Sequence, residues 1–293
     1  MKTRLLWFSL LTCNGNAHAL LNYPHLSTFM ERFEWVYHPI LPSTHTLSDL
    51  LREAVPCDIL LIEGAFDPDL EKDGIPIAEP LTRYAQKARH IVTLGTCAAF
   101  GGIFAEGKAD RSGFLYDKTT LRDLPDGIAP KTVVLPGCPV HPHIVAHTLY
   151  ALQEGHSLPL DDLHRPKNFY ATTVHAGCSR NEYYEYKIDR YRYGEAEGCL
   201  YIDHGCQAPH THGSCNRLLW NGVNTKPRSG APCLGCTEPE FPAENLWQTP
   251  KHMGIPARMP LGVPKRAYLS LAGIAKAFKI PRLEGKLFDD ETK

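Results

Sequence analysis

The chain has 293 residues, of which 43% are hydrophobic and 22% are charged, a balance typical of folded proteins large enough for two domains. Thirty-one basic and 32 acidic residues give a formal net charge of −1, so no bulk electric field favours nucleic acid or an anionic membrane. We therefore expect no nucleic-acid partner.

The N-terminus carries a pattern that a secretory signal peptide and a first β-strand share. Lys2 and Arg4 precede an apolar run from Leu5 to Leu11. This run is at the short limit for a signal sequence, and the Asn-Gly-Asn that follows Cys13 is typical of a turn. No stretch approaches the roughly 20 apolar residues that cross a bilayer. We expect a strand here and a cytoplasmic protein.

The first half of the chain alternates apolar runs with amphipathic ones, the pattern of a parallel sheet with crossover helices. The predicted strands are Arg4–Leu10, Glu34–Tyr37, Asp58–Glu63, His90–Leu94 and Thr132–Leu135. The predicted helices are Leu20–Phe33, Leu47–Ala54, Ile77–Ala88 and Pro142–Gln153. We expect an α/β fold with a flavodoxin-like doubly wound parallel sheet over residues 1–160.

The second half has a different character, because the alternation ends after Pro159. Six of the ten cysteines lie between Cys178 and Cys236, in sequence rich in Gly, Pro, His and Asn. Apolar residues are too sparse there for a continuous core, so metal ligation is the simplest source of stability. We expect an irregular, cysteine-rich iron–sulfur domain over residues 161–293, including a C-terminal tail.

Three cysteines each follow a predicted strand: Cys13, Cys97 and Cys138. The carboxyl ends of parallel strands gather at one edge of a sheet, where ligands bind. A single cysteine in such a place is usually a small buried hydrophobe, but three suit an iron–sulfur site. Glu63 ends another strand and points to the same crevice. Cys57 precedes its strand at the opposite edge, and we expect it to be a core residue.

A second set of candidate ligands begins with His175 and Cys178, which are three residues apart and within reach of one metal centre. Cys199 and Cys206 complete four ligands. A neutral histidine in place of a thiolate raises the potential of a cluster, because it leaves less negative charge to oppose reduction. This set therefore suits the exit of electrons.

Basic residues lie close to this second set in the sequence: Arg180, Lys187, Arg190 and Arg192. We expect them to form a solvated charged face, with docking of an acidic electron carrier as the alternative.

A third set consists of Cys215, Cys233 and Cys236. Three ligands are what a [3Fe–4S] cluster needs, because it lacks the iron that a fourth ligand would bind. Zinc is the alternative, since it takes sites of cysteine and histidine with similar short spacings. A zinc-stabilised interaction module without redox chemistry is therefore an alternative function for the chain.

The motifs over residues 4–247 resemble, in order and spacing, the small subunits of [NiFe]-hydrogenases. These motifs are Leu6-Trp7, Ile62-Glu63-Gly64, Gly95-Thr96-Cys97-Ala98, Pro136-Gly137-Cys138-Pro139, His175-x-x-Cys178, Gly198-Cys199-Leu200, Gly205-Cys206, Asn221-Gly222-Val223-Asn224 and Pro232-Cys233-Leu234-Gly235-Cys236. The resemblance implies a chain that relays electrons from dihydrogen oxidation at an obligate large subunit to an external acceptor. Because that large subunit holds nickel and iron, the resemblance implies no catalytic residue here. We also expect the heterodimers to associate into a dimer or higher oligomer.

The same resemblance implies three clusters in a row. The implied ligands are Cys13, Cys97 and Cys138 for the proximal cluster, Cys215, Cys233 and Cys236 for a medial [3Fe–4S] cluster, and His175, Cys178, Cys199 and Cys206 for a distal [4Fe–4S] cluster.

One departure from the family concerns the proximal site. Family members carry Cys-x-x-Cys in the first loop, whereas here Asn16 stands three residues after Cys13. An amide is a poor iron ligand, so we expect [3Fe–4S], or [4Fe–4S] with a fourth ligand such as water, Asn16, Glu63 or Asp67. Either outcome removes a negative thiolate and raises the potential. Our hypothesis is an enzyme biased toward hydrogen uptake, with oxygen tolerance as a further expectation.

Two related functions remain as alternatives. The first is the small subunit of a regulatory, hydrogen-sensing hydrogenase, which has the same fold and clusters. The second is a relative of the cluster-bearing subunit of respiratory complex I, but that kind of subunit lacks the cysteine-rich second half.

Overall fold

The computed structural model describes residues 2–185, 188, 192–244, 246–252, 255–259, 264–267, 269–270 and 274. The chain divides into two compact units. The first contains Met1–Ala171 and Cys236–Pro242, and the second contains Thr172–Gly235 and Ala243–Lys293. Most of the predicted C-terminal tail lies outside the described residues.

A five-stranded sheet forms the centre of the first unit. Its strands are β1 (Thr3–Ser9), β2 (Phe33–Tyr37), β3 (Ile59–Glu63), β4 (His90–Leu94) and β5 (Thr132–Leu135). The spatial order is β2-β1-β3-β4-β5, and every neighbouring pair is parallel. This is the flavodoxin-like order. The predicted fold class is therefore confirmed, and each predicted strand ends within one residue of its observed limits.

Helices connect the strands: α1 (Gly15–Leu20), α2 (Leu26–Arg32), α3 (Leu47–Arg52), α4 (Ala78–Lys87), α5 (Gly95–Phe100), α6 (Pro142–Gln153) and α7 (Lys167–Tyr170). Leu6 and Phe8 of β1 belong to the same core cluster as Leu81 of α4. The ring of Phe29 in α2 lies 5.6 Å from that of Tyr150 in α6. Because parallel crossovers are right-handed, the reversal of strand order after β2 places α3 and α4 on one face of the sheet and α2 and α6 on the other.

The predicted helix Leu20–Phe33 is wrong, since α1 ends at Leu20 and α2 begins only at Leu26, after a turn that contains Pro24. Proline has no N–H, and its ring disfavours the helical conformation of Tyr23 before it. Helix α5, which carries Cys97, is not among the predicted helices, and neither is α1 apart from Leu20. Six residues are too few to show helical periodicity.

Short elements complete the first unit. They are the 3₁₀ turns Gly102–Phe104 and Ala129–Lys131, and two ribbons that pair Glu71–Lys72 with Ile75–Pro76 and Tyr116–Asp117 with Thr120–Leu121.

The elements of the second unit are short and its backbone is mostly irregular. They include α8 (Asn181–Glu185), the turns Val174–Gly177 and Ala208–His210, and a ribbon of Lys251–His252 with Ile255–Pro256. Its buried cluster combines Val174, Tyr184 and Leu200 with Cys199, Cys206 and Cys233. Cysteines thus occupy positions that aliphatic side chains fill in an ordinary core. Across the part of the chain that the structure describes, no helix is both long and apolar enough to cross a bilayer.

Candidate functional site

The first candidate site lies at the carboxyl edge of the sheet. Cys13, Cys97 and Cys138 follow β1, β4 and β5 respectively. Burial raises the pKa of the Cys97 thiol to about 12, and Cys138 and Cys13 add to the rise, because a neighbouring thiolate disfavours a second negative charge. A Cβ at Gly15 would lie 3.2 Å from Sγ of Cys13 and 4.0 Å from Cβ of Pro139, the residue after Cys138, so the loops that carry these two cysteines lie side by side. A cationic metal centre would supply the charge that ionises the thiols.

The backbone of the turn that follows α5 packs against the sulfur of Cys97. The backbone N–H groups of Ile103 and Phe104 oppose the rise in the pKa of this thiol. Gly102 has a φ of 52°, and a Cβ at this position would lie 2.9 Å from the sulfur of Cys97. Only glycine fits both the conformation and the close approach.

Thr96 ties the loops of two predicted ligands together. Its N–H donates to the carbonyl of Gly137 at 3.0 Å, and the N–H of Gly137 donates to Oγ1 of Thr96 at 2.9 Å. Oγ1 also donates to the carbonyl of Cys236, which belongs to the same unit. Cys97 and Cys138 each follow one of the paired residues, so their backbones are held at a fixed separation.

Glu63 and Asn16 form a hydrogen-bonded pair at the same edge. Oε2 of Glu63, which is fully buried, accepts from Nε1 of Trp7 at 3.0 Å, and Oε1 accepts from N and Nδ2 of Asn16 at 2.8 and 3.1 Å. Nδ2 of Asn16 also donates to the carbonyl of Leu94 at 3.2 Å, and its Oδ1 accepts from the N–H of Val140 at 2.9 Å. The two side chains thus lie where the sequence placed them, and their predicted cofactor-binding role stays a prediction.

Asp67, another predicted fourth ligand, has partners of its own. Its Oδ2 accepts from Nε of Arg111 at 2.7 Å, and its Oδ1 accepts from the N–H of Asp69 at 3.0 Å. Oxygens of Asp67, Asp69 and Asp110 lie within 4.8 Å of one another, and Arg111 offsets part of this negative charge.

The second candidate site lies in the second unit, where His175, Cys178, Cys199 and Cys206 line one pocket. The structure thus brings together the four ligands predicted for the distal cluster. Thiol and imidazole donors gathered around one pocket are ligands that an iron–sulfur cluster takes.

Backbone N–H groups point at the sulfurs of this pocket. Three of them donate at 3.4 Å: Arg180 to Cys178, Tyr201 to Cys199 and Cys233 to Cys206. Burial raises the pKa of the Cys206 thiol to about 11 and also raises that of Cys178, while these hydrogen bonds oppose the shift. Hydrogen bonds to ligand sulfurs stabilise negative charge and raise the potential of a cluster.

Arg180 lines the same pocket, and the expectation of a solvated face is wrong for it. Its side chain is buried and donates to the carbonyls of Pro227 at 2.6 Å, Gly198 at 2.6 Å and Glu197 at 3.0 Å, and to that of Glu195. Burial lowers the pKa of the guanidinium, and nearby thiolates oppose that shift.

The other basic residues of that group lie elsewhere. Arg192 is exposed, while Lys187 and Arg190 lie outside the described residues.

The third set is divided between the units. Cys215 and Cys233 belong to the second unit, and Cys236 begins the segment Cys236–Pro242 of the first. Within the second unit, the carbonyl of Cys233 accepts from the N–H of Gln207 at 2.8 Å. The role of these three cysteines as a ligand set stays a prediction.

Cys57 is buried in the main apolar cluster of the first unit, as predicted, and burial raises the pKa of its thiol to about 12. No disulfide joins any of the ten cysteines, all of which lie among the described residues.

Two sequence families match the chain. The C-terminal family of the NiFe/NiFeSe hydrogenase small subunit matches residues 170–247, and the family described as NADH ubiquinone oxidoreductase, 20 Kd subunit, matches residues 13–152.

Two curated relatives extend these matches. The F420 non-reducing hydrogenase II small subunit of Methanosarcina mazei is 30% identical over 291 residues, which cover 82% of this chain and 74% of that relative. The periplasmic [NiFe] hydrogenase small subunit of Solidesulfovibrio fructosivorans is 34% identical over 174 residues. That second match covers 57% of this chain and spans about half, 52%, of the relative.

A solved structure also resembles the chain. The actinobacterial-type NiFe-hydrogenase from Ralstonia eutropha superposes with a TM-score of 0.73 at 26% identity, over 94% of this chain and 90% of that chain.

Proposed function

This chain belongs to the family of [NiFe]-hydrogenase small subunits, and we propose that it is the electron-transfer subunit of a hydrogenase heterodimer. In this proposal a large subunit splits dihydrogen into two protons and two electrons. The present chain accepts the electrons and passes them to an external acceptor. The catalytic residues are accordingly assigned to the large subunit and none to this chain.

The proposed clusters supply one-electron redox chemistry when they are bound. The proposed ligands are Cys13, Cys97 and Cys138 for the proximal cluster, Cys215, Cys233 and Cys236 for a medial [3Fe–4S] cluster, and His175, Cys178, Cys199 and Cys206 for a distal [4Fe–4S] cluster. The chain's own residues hold the sulfur and imidazole donors in place, donate hydrogen bonds to them and limit the access of water.

The observation that carries this proposal is the pocket of the second unit. Four donors separated by up to 31 positions in the sequence, from His175 to Cys206, line it together. Backbone N–H groups point at each of its three sulfurs. A neutral imidazole and these hydrogen bonds both raise the potential of a cluster, which supports an electron exit at this site.

The direction of turnover, the location and the assembly follow as further proposals. A proximal site with three thiolates has less negative charge and a higher potential than a Cys₄ site, which supports hydrogen uptake and, as a further hypothesis, oxygen tolerance. We propose a cytoplasmic location, either free or attached to a membrane through other subunits, because thiols stay reduced there and available as cluster ligands. We propose that heterodimers associate into a dimer or higher oligomer.

The test is cluster counting in the complex purified with its large subunit. We expect iron and acid-labile sulfide in amounts that match three clusters, and three distinct EPR signals under graded reduction. Zinc without sulfide would support the interaction module instead. Very slow turnover together with a copurifying signalling protein would support the regulatory, hydrogen-sensing function.

A further inference from the structure

We propose that Asn16 is a positioning residue that fixes Glu63 and the loops of Cys13 and Cys138. The proximal site then offers three protein thiolates, and the place of the fourth goes to a solvent-derived ligand or to a three-iron cluster. This inference rests on the proposed function, and it removes Asn16, Glu63 and Asp67 from the candidate fourth ligands that the sequence leaves open.

The amide of Asn16 is already occupied by protein partners. A primary amide has two N–H donors and one acceptor oxygen. Nδ2 of Asn16 donates to Oε1 of Glu63 and to the carbonyl of Leu94, and Oδ1 accepts from the N–H of Val140. The partners also fix the orientation of the amide, since acceptors face Nδ2 and a donor faces Oδ1. Both donors are therefore used, and Oδ1 keeps one lone pair on a neutral, weakly basic oxygen.

These bonds link three strand ends. Glu63 is the last residue of β3 and Leu94 the last of β4, while Val140 follows β5 and comes two residues after Cys138. Asn16 comes three residues after Cys13. One side chain therefore sets the spacing between two of the loops that carry the predicted thiolates.

The surroundings of Asn16 leave no room for rearrangement on one side. Gly95 has a φ of 88°, and a Cβ there would lie 2.5 Å from Nδ2 of Asn16. The amide therefore packs directly against the glycine backbone, which is a close approach that only glycine allows.

Glu63 depends on Asn16 for its hydrogen bonds. A buried carboxyl group is costly unless donors satisfy its oxygens. Two of the three donors described for Glu63, the backbone N–H and Nδ2, come from Asn16, and Nε1 of Trp7 supplies the third. Both carboxyl oxygens thus have protein donors, which favours a structural part for Glu63 over iron ligation. Asp67 likewise pairs with Arg111.

Replacing Asn16 by aspartate separates the two roles. A carboxylate binds iron better than a neutral amide does, so a ligand at this position would retain or strengthen the cluster in Asn16→Asp. If Asn16 is a positioning residue, the same substitution should weaken the cluster. The variant loses both Nδ2 donors and places a second carboxylate against the buried Glu63.

The experiment compares wild-type, Asn16→Asp and Asn22→Asp complexes purified with the large subunit. Asn22 is the matched control, because it is exposed and its amide makes one weak contact of 3.5 Å with the carbonyl of His18. We measure iron and sulfide content, the EPR signal of each cluster and the thermal unfolding midpoint. For Asn16→Asp we expect the proximal signal to fall at least about two-fold and the midpoint to fall by several degrees. The distal signal should persist, and Asn22→Asp should match the wild type in all three measurements.

Retention of the proximal signal and the midpoint in Asn16→Asp would overturn the positioning role and support ligation. If the Asn16→Asp complex fails to assemble, the EPR signal of the wild-type complex decides whether three protein thiolates hold the proximal cluster. A three-iron proximal signal, or a four-iron signal that broadens in isotopically labelled water, supports three protein thiolates. A four-iron signal that does not respond to labelled water contradicts them. Wild-type protein without iron and sulfide would instead overturn the proposed function.

Discussion

Nε1 of Trp7 donates a 3.0 Å hydrogen bond to Oε2 of Glu63, which joins the middle of β1 to the end of β3 through two buried side chains. These strands are neighbours at the point where the strand order reverses, and in open α/β sheets that point is where ligands bind. The hydrogen bond from Trp7 on β1 therefore holds the carboxyl group of Glu63, at the end of β3, beside this crevice.

Replacing Trp7 by phenylalanine should destabilise the protein more than the same change at Trp35. Both indoles are buried, but Nε1 of Trp35 has no hydrogen-bond partner within the described part of the chain. Trp35→Phe therefore reports the loss of packing alone. We expect Trp7→Phe to cost about 1–3 kcal/mol more, because it leaves a buried carboxyl oxygen without its donor. Urea unfolding of the two variants measures the difference, and equal losses would contradict the importance of this bond.

Substitution of the sheet-edge cysteines should abolish electron transfer, whereas substitution of Cys57 should not. We expect Cys97→Ser and Cys138→Ser each to reduce dihydrogen-dependent dye reduction at least about ten-fold, because the proposed route of the electrons starts at this cluster. Cys57→Ala removes a buried thiol from the apolar core and should cost only about 1 kcal/mol of stability. Iron content and activity of the purified complexes provide the comparison. Iron loss in Cys57→Ala would show that the ligand assignment is wrong.

Removal of Arg180 should affect the distal site. Its guanidinium donates to the carbonyls of Pro227, Glu197 and Gly198, so Arg180→Met leaves buried acceptors unsatisfied and should destabilise the protein by more than about 2 kcal/mol. The loss of a positive charge beside the thiolates should also lower the distal potential.

Arg192→Met is the control for this change, since Arg192 is exposed. Redox titration followed by EPR measures the potential of the cluster in both variants. A distal potential that is the same in both would contradict an electrostatic effect of Arg180.

The stability of the first unit should fall below neutral pH because of His38. Its ring is buried against Trp7, and Nδ1 accepts from the N–H groups of Ile40 and Leu41. Burial lowers the pKa of His38 to about 4, whereas an unfolded histidine has a pKa of about 6.5. The unfolded state therefore binds the proton first as the pH falls. Stability should be complete above about pH 6.5 and should decrease by up to about 3 kcal/mol toward pH 4.

His38→Gln should flatten this pH dependence between about pH 7.5 and about pH 5. His252→Gln, at an exposed position, should leave it unchanged. Urea unfolding at the two pH values provides the measurement, and an unaltered slope in His38→Gln would assign the effect to other groups.

Much of the fold could be predicted from local sequence. The runs His90–Leu94 and Thr132–Leu135 are apolar, short and bounded by turn residues, and they form strands with those limits. The predicted helix Leu20–Phe33 is wrong at Pro24, because apolar spacing alone does not show where a proline interrupts a helix. The gathering of Cys13, Cys97 and Cys138 followed from the topology, since parallel strands end at one edge.

The contacts that shape the sites could not be predicted in this way. Asn16 finds partners 47 and 124 positions away, at Glu63 and Val140, and such bonds depend on the conformation of several loops at once. No sequence pattern indicates that Arg180 is buried, because its four carbonyl acceptors come from two segments without helical or strand periodicity. Side-chain networks of this kind are a property of the folded chain.

The segment Cys236–Pro242 has a consequence for the order of events on the ribosome. Oγ1 of Thr96 bonds to the carbonyl of Cys236, 140 positions later, and Nη1 of Arg165 donates to the carbonyl of Thr237 at 3.3 Å. Because synthesis proceeds from the N-terminus, the first unit emerges early but its last internal contacts wait until residues 172–235 have been translated. The contacts beside Cys97 therefore stay partly unmade throughout that interval, and the first unit reaches its final form only after most of the second has been synthesised.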